Sequence, residues 1–496
     1  MDAQRRSMLR KVASALKWPS VVLGAVLLTL LAVRAYDARG GPSLESWHTF
    51  VPDELKASEL AHASWSDYLA AENRVFDEVR TEVTEQLGPA DRVPANRYYA
   101  DSPMYAERFT QDWNRSFILT PDDPPVGVVA LFHGLTDSPY SVRHLARFYR
   151  QRGYVAVAIR LPGHGTVPGG LARVSWQDWV EASRLAVREA RRLGGDHVPL
   201  HIVGYSNGGT VAIKYALDAL EDQSLTRPDR VVLLSPMIGV TRLARFAGVL
   251  GWPAVFPAFA KAAWLDILPE YNPFKYNSFP VNAARQSSLF TDALQEQITR
   301  LSSAGRLAQL APVTTFQSVL DQTVSTPAVV DGLYAHLPDN GSELVLFDLN
   351  HNAEVRSLLR PESNKLADNL LPPAPRRFRT TIISNAGTDD LLVSERVTPP
   401  GSTDTQTRPL ELSYPRDVYS LSHIALPFPL SDSLYGSQPD QSESYGLHLG
   451  TIATRGERSS LIISLDTLIR MSSNPFFPYL LERVDEGMNP ATASLQ

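Results

Sequence analysis

A doubly wound α/β sheet, mostly parallel and covered by helices on both faces, is the fold class this sequence predicts. Three observations carry it. Short unbroken apolar runs alternate with amphipathic stretches between Val126 and Ser235, a serine sits between glycines where one run turns into a helix, and helix-start signals fall where the alternation needs them.

The elements follow in order. Val126 to Phe132 is β-branched and apolar with no polar alternation, the pattern of a strand buried on both faces, and it ends in His133-Gly134-Leu135-Thr136-Asp137. Ser138-Pro139 predicts a helix start, serine as cap and proline in the first position, running on through Tyr149. Tyr154 to Ile159 is a second buried strand, followed by the loop Leu161-Pro162-Gly163-His164-Gly165-Thr166. Ser175, with Asp178 as its capping-box partner, opens a helix that carries Trp176, Trp179, Ala182, Leu185 and Ala186 along one face. Leu200 to Val203 then leads into Gly204-Tyr205-Ser206-Asn207-Gly208, and Thr210 to Leu217 continues as helix before the strand Val231 to Ser235. A serine in so tight a corner adopts strained backbone angles and holds its Oγ clear of the sheet, as a nucleophile must.

The segments HGLTDSPYSVRHLARFYRQRGY, LPGHGTVPGG, SWQDW and VGYSNGG, in that order between Val128 and Gly209, resemble the α/β-hydrolase fold family. The likeness is to its bacterial carboxylesterase and monoacylglycerol-lipase branch, often labelled serine aminopeptidase-like. It implies a serine hydrolase that cleaves carboxylic esters through an acyl-enzyme, with triad members in the chain order serine, acid, histidine. Ser206 is then the nucleophile. The resemblance supports Asp321, at the end of the strand-like run Pro312 to Leu320, as the acid. The N–H groups of Leu135 and Asn207 are implied as the oxyanion hole.

Two histidines compete for the base. His351 follows the strand-like run Glu343 to Asp348, where compact esterases place it. His423 lies in Tyr419-Ser420-Leu421-Ser422-His423-Ile424-Ala425-Leu426-Pro427-Phe428-Pro429, in a loop fenced by prolines, and resembles the SLSH-plus-PF motif of a membrane-associated subgroup. It is the expected base, which makes residues from about 350 to 415 an insertion, and Ser431 to Gly436 reads as a purpose-built corner beside it. His133 and His164 are expected to brace their loops. The alternatives are an exopeptidase or acyltransferase on the same triad, and a non-catalytic membrane-tethered scaffold.

Composition narrows the partners. With 44% hydrophobic residues, 20% charged and a net charge of -6, the 496-residue chain is that of a folded protein with no polyanionic partner such as nucleic acid. Cysteine is absent, so disulfides are excluded. No zinc motif, phosphate loop or dinucleotide fingerprint is present, so neither a metal nor a cofactor is implied. The expected substrate is a small or lipid-like ester.

Trp18 to Val33 is a long uncharged apolar run preceded by Arg5, Arg6, Arg10, Lys11 and Lys17. It predicts a membrane anchor over 18–35 with residues 1–17 in the cytoplasm and the enzyme on the exported side. A signal peptide cleaved after Ala35 is the alternative. Residues 36–110 are expected to pack on the hydrolase domain of 111–496. The segment of about 237–311, with Leu243, Phe246, Val249, Leu250, Trp252, Val255, Phe256, Phe259 and Trp264, is expected to form a cap that lines an acyl pocket, packs on the core or touches lipid.

Overall fold

Alternate side chains of the strand Gly127–Phe132 enter opposite cores in the computed structural model. Val128, Ala130 and Phe132 join one apolar cluster, and Val129 and Leu131 join another. A strand buried on both faces has no polar side to show, which is why its sequence lacks alternation. The structure describes residues 40–239, 257–354, 365–387, 390–452 and 473–488 throughout, with scattered positions between 18 and 36 and at 254, 357 and 359.

The strands are β1 (Phe117–Leu119), β2 (Gly127–Phe132), β3 (Tyr154–Ile159), β4 (Leu200–Tyr205), β5 (Arg230–Leu234), β6 (Trp264–Asp266), β7 (Phe279–Pro280), β8 (Val313–Ser318), β9 (Glu343–Phe347), β10 (Arg379–Asn385), β11 (Leu392–Thr398) and β12 (Gln406–Ser413). β6 and β7 pair with each other, and the rest form one sheet in the order β1-β3-β2-β4-β5-β8-β9-β10-β11-β12. Neighbours from β3 to β10 run parallel. The antiparallel pairs lie at the two margins. Helices Trp176–Gly194, Asn207–Glu221 and Val281–Ser303 feed the first core, and Arg143–Gln151 and Phe477–Met488 the second.

Sheet order locates the site. β2 leads to β3 on one side and β4 to β5 on the other, so the loops leaving β2 and β4 diverge at their carboxyl ends, the switch point where sheets of this kind place their sites. Phe132 pairs with Gly204, which brings the His133-Gly134 turn level with Ser206.

Several local expectations take a different form. The stretch after Ser138 enters as a 3₁₀ turn, Pro139–Val142, before the helix Arg143–Gln151 begins, and the buried Ser138 hydroxyl makes no capping bond. Asp137 serves the Ser138 N–H instead, its Oδ1 accepting at 2.9 Å. At Ser175 the N–H does donate to Asp178 Oδ2, at 2.8 Å.

Residues 379–413 of the expected insertion form β10, β11 and β12 and so widen the sheet. After β12 the chain comes back to where it left. The Tyr414 hydroxyl donates to the Asp348 carbonyl, and the Asn350 amide donates to the carbonyls of Pro415 and Val418 at 3.2 and 2.9 Å.

In the expected cap, Leu243, Phe246, Val249, Leu250, Trp252, Val255 and Phe256 lie outside the described residues. Trp264 is buried, and the helix Val281–Ser303 packs on the core. The expected membrane-spanning helix over 18–35 is not found: among the described residues no helix is long and apolar enough to cross a membrane, and that stretch is described only in part.

The extension before β1 is built into the body of the molecule. Its helix Trp65–Val79 sends Trp65 and Tyr68 into the first core, while Trp47, Val79, Val83, Leu87 and Tyr98 form a small cluster of their own with Val167.

Candidate active site

The corner after β4 is as tight as its glycines imply. Ser206 sits at φ 54° and ψ -117°, a left-handed conformation that side chains rarely adopt. Three backbone bonds hold it there: its N–H donates to Leu234 O at 3.0 Å, and its carbonyl accepts from Met237 at 3.0 Å and Gly209 at 2.9 Å. A Cβ on Gly204 would stand 2.2 Å from Gly208 O, and one on Gly208 would stand 2.0 Å from Phe132 O. Strand and helix can pass this closely only because both positions lack side chains.

The structure brings three of the expected residues into one chain of hydrogen bonds. Ser206 Oγ lies 3.0 Å from His423 Nε2, and His423 Nδ1 lies 2.8 Å from Asp321 Oδ2. Asp321 Oδ1 accepts the N–H groups of Thr323 and Val324 at 2.8 and 3.0 Å, and Gln317 Nε2 approaches Oδ2 at 3.3 Å. Burial alone would raise this carboxyl, but His423 and these N–H donors hold it below its ordinary value, so it is ionised. An ionised carboxylate only accepts, so Nδ1 carries the imidazole proton and Nε2 presents its lone pair to the serine hydroxyl. His351 is elsewhere: its N–H donates to Asn385 Oδ1 at 2.8 Å and its ring faces Asp348.

The two expected oxyanion donors flank the serine. Asn207 is the first residue of the helix that starts at the corner, where a backbone N–H has no intrahelical acceptor. Leu135 follows Gly134, whose position leaves so little room that a Cβ there would be 3.2 Å from Ser206 Cβ. Neither N–H meets an acceptor among the described residues.

Both loop histidines are neutral. Leu161 N–H donates to His133 Nε2 at 3.0 Å, so Nδ1 carries the proton and donates to Gly134 O at 2.9 Å. Burial pushes His133 far below its ordinary value and His164 down to about 4. His164 Nδ1 faces the carbonyls of Leu161 and Pro162 at 3.2 and 3.1 Å and so closes its own loop.

Some supporting contacts carried no signal in the sequence. Gln317 lies in a strand with no motif around it. The corner from Ser431 to Gly436 was legible, but its partners were not: the buried Asp432 carboxylate takes Arg143 Nη2 at 2.9 Å, His144 Nε2 at 2.9 Å and the Tyr140 hydroxyl at 3.0 Å from the stretch after the oxyanion loop. Arg143 also lies over the Tyr140 ring at 3.6 Å. Only a fold that folds these distant segments together reveals such partners.

Strand order and the strained serine corner after β4 define an α/β-hydrolase fold. Residues 123–346 match the family model described as serine aminopeptidase, S33. The chain is 36% identical over 96 residues to a thermostable monoacylglycerol lipase of a Bacillus species, covering 19% of this chain and 36% of that protein. It is 29% identical over 119 residues to a phospholipase of Bacillus subtilis, covering 24% and 43%. The chain thus spans less than half the length of either relative. Among solved structures, a soluble variant of the Saccharomyces cerevisiae monoglyceride lipase aligns at 13% identity with a TM-score of 0.37, covering 47% of this chain and 81% of that one.

Proposed function

We propose that this protein is a serine ester hydrolase, with Ser206 as nucleophile, His423 as general base and acid, and Asp321 as the carboxylate that orients the imidazole. The observation that carries the reading is the continuous relay from Ser206 Oγ through His423 to Asp321, with bonds of 3.0 and 2.8 Å. His423 Nε2 takes the serine proton as Oγ attacks an ester carbonyl, and Asp321 stabilises the imidazolium. The N–H groups of Leu135 and Asn207 receive the oxyanion. The imidazolium then protonates the leaving alcohol, and water activated by the same histidine releases the acid.

Carboxylic esters with a lipid-like acyl group are the proposed substrates, a reading supported by the relatives named as a monoacylglycerol lipase and a phospholipase. The apolar residues between 240 and 264 suit an acyl chain. Turnover of p-nitrophenyl esters of short to medium acyl length well ahead of aminoacyl-anilides is the expected result. Faster anilide cleavage would favour an aminopeptidase.

We also propose that Trp18 to Val33 anchors the protein with the hydrolase on the exported side, on the strength of its apolar run and the basic residues before it. A reporter that works only outside the cytoplasm, fused after Gln496, is expected to be active. Activity of a cytoplasm-only reporter in its place would overturn the orientation.

A further inference from the structure

An acid from the N-terminal extension reaches the loop that backs the oxyanion hole. Glu54 is buried, and its carboxylate grips Arg160 in a two-point fork, with Oε1 to Nη1 at 2.6 Å and Oε2 to Nη2 at 2.9 Å. Oε1 also accepts the N–H of Gly163 at 2.9 Å. Arg160, fully buried, spends its other donors nearby: Nη1 goes to His164 O at 2.9 Å and Nε to Glu72 at 3.1 Å. Burial alone would raise the Glu54 carboxyl, but Arg160 and the Gly163 N–H hold it below its ordinary value and keep it charged. The turn from Arg160 to His164 is thereby set by a residue 106 positions earlier in the chain.

That turn holds His133. Its Leu161 N–H donates to His133 Nε2, which fixes the tautomer, and His133 Nδ1–H then holds the Gly134 carbonyl. The Gly134 carbonyl and the Leu135 N–H belong to one planar trans peptide, so they point in opposite directions. Gripping the oxygen therefore aims the N–H, and it also blocks the peptide from rotating away.

We infer that Glu54 is a positioning residue for catalysis, acting through Arg160, Leu161 and His133 to orient the Leu135 N–H at the oxyanion. Glu54 lies outside residues 123–346, the stretch similar to the hydrolase family. On this account the extension completes the active site, which the family-like stretch does not do alone. The inference rests on the hydrolase reading above.

A misaimed donor weakens binding of the oxyanion, which exists only in the transition state and intermediates, so the loss falls on kcat and spares KM. Rates on p-nitrophenyl esters, taken with the full chain well below each variant's melting temperature, test this. Glu54→Gln is expected to lower kcat about tenfold or more with KM nearly unchanged, a fraction of the roughly 100-fold or greater loss on deleting a donor outright. Val83→Ala, which loosens the separate cluster around Trp47 and Tyr98, is expected to lower the melting temperature and keep kcat. Should Glu54→Gln not fold, Arg160→Lys carries the same expectation, because it keeps the charge and loses the fork.

An active wild type with unchanged kcat in Glu54→Gln overturns the inference alone, as does a loss that merely tracks the folded fraction. A folded wild type with neither ester turnover nor labelling of Ser206 by a fluorophosphonate removes the hydrolase reading and this inference with it.

Discussion

The ring of Tyr205 stacks on the imidazole of His423, centroids 5.3 Å apart and planes 30° apart, while its hydroxyl donates to the His423 carbonyl at 3.2 Å. The residue before the nucleophile thus holds the proposed base by both ring and backbone. Because β4 is buried along its whole length and paired on both sides, this contact ties the loop of His423 to the strand that leads into Ser206. Tyr205→Phe keeps the stacking and loses the hydrogen bond, a change of about 0.5–1.5 kcal/mol. Ester turnover is expected to fall severalfold, chiefly in kcat. A variant with wild-type kcat would show that the stacking alone positions the loop.

Replacing His423 by Ala is expected to reduce ester hydrolysis by several orders of magnitude, whereas His351→Ala keeps most of it. The sequence leaves both histidines open, and the geometry separates them: of the two, His423 hydrogen-bonds Ser206, while His351 faces Asp348. Steady-state rates on one ester, with circular dichroism to verify folding, decide it. The reverse pattern would move the base to His351.

Arg143→Ala is expected to be strongly destabilising. It strands the buried Asp432 carboxylate, and breaking one side of a buried ion pair costs about 3–5 kcal/mol. Tyr140 and His144 still bond Asp432, which places the loss toward the lower end. Denaturant midpoints of wild type and variant measure it. A shift within experimental error would mean that water or a rearranged side chain replaces the guanidinium.

Stability is expected to fall as pH drops from 7 to 5. Burial lowers His48 and His164 to about 4 and His201 to about 3, against an ordinary 6.5. Below 6.5 the unfolded chain binds protons that these folded histidines refuse, so each removes up to about 1.4 kcal/mol per pH unit until its folded value is reached. Asp137 acts oppositely. Burial raises its carboxyl from 3.8 to about 6, Lys275 offsetting this in part, so between those values the folded state binds the extra proton. His133 and His144 are lowered by burial as well, and burial raises Glu45, Asp112 and Glu270 as it does Asp137. The ordinary histidine value lies inside this pH window and the ordinary carboxyl value below it, so the five histidines dominate. A melting temperature that stays level or rises between pH 7 and pH 5 would contradict the assignment of these rings as neutral.

What the sequence disclosed was local. The run from Val128 to Gly209 carries its strands, its corner serine and its loop glycines within one continuous stretch, and short-range rules read such features well. β10 and β11 were hidden because polar residues occupy buried places: Thr380, Thr381, Ser394 and Glu395 are buried, and the proline-rich and polar segments around them read as loop. The return of the chain from β12 to Asn350 is a matter of tertiary path, which no spacing in the sequence encodes. Glu54 and Arg160, 106 residues apart, show the same limit, since a lone glutamate in an extension looks like any solvated acid until the fold buries it against an arginine.

The most direct test of the central claim is to label the purified full-length protein with a fluorophosphonate probe and map the modified peptide by mass spectrometry. The relay of Ser206, His423 and Asp321 predicts a single adduct on Ser206, abolished in Ser206→Ala and slowed by orders of magnitude in His423→Ala. A folded protein that takes up no probe, or an adduct on another serine, would contradict the account.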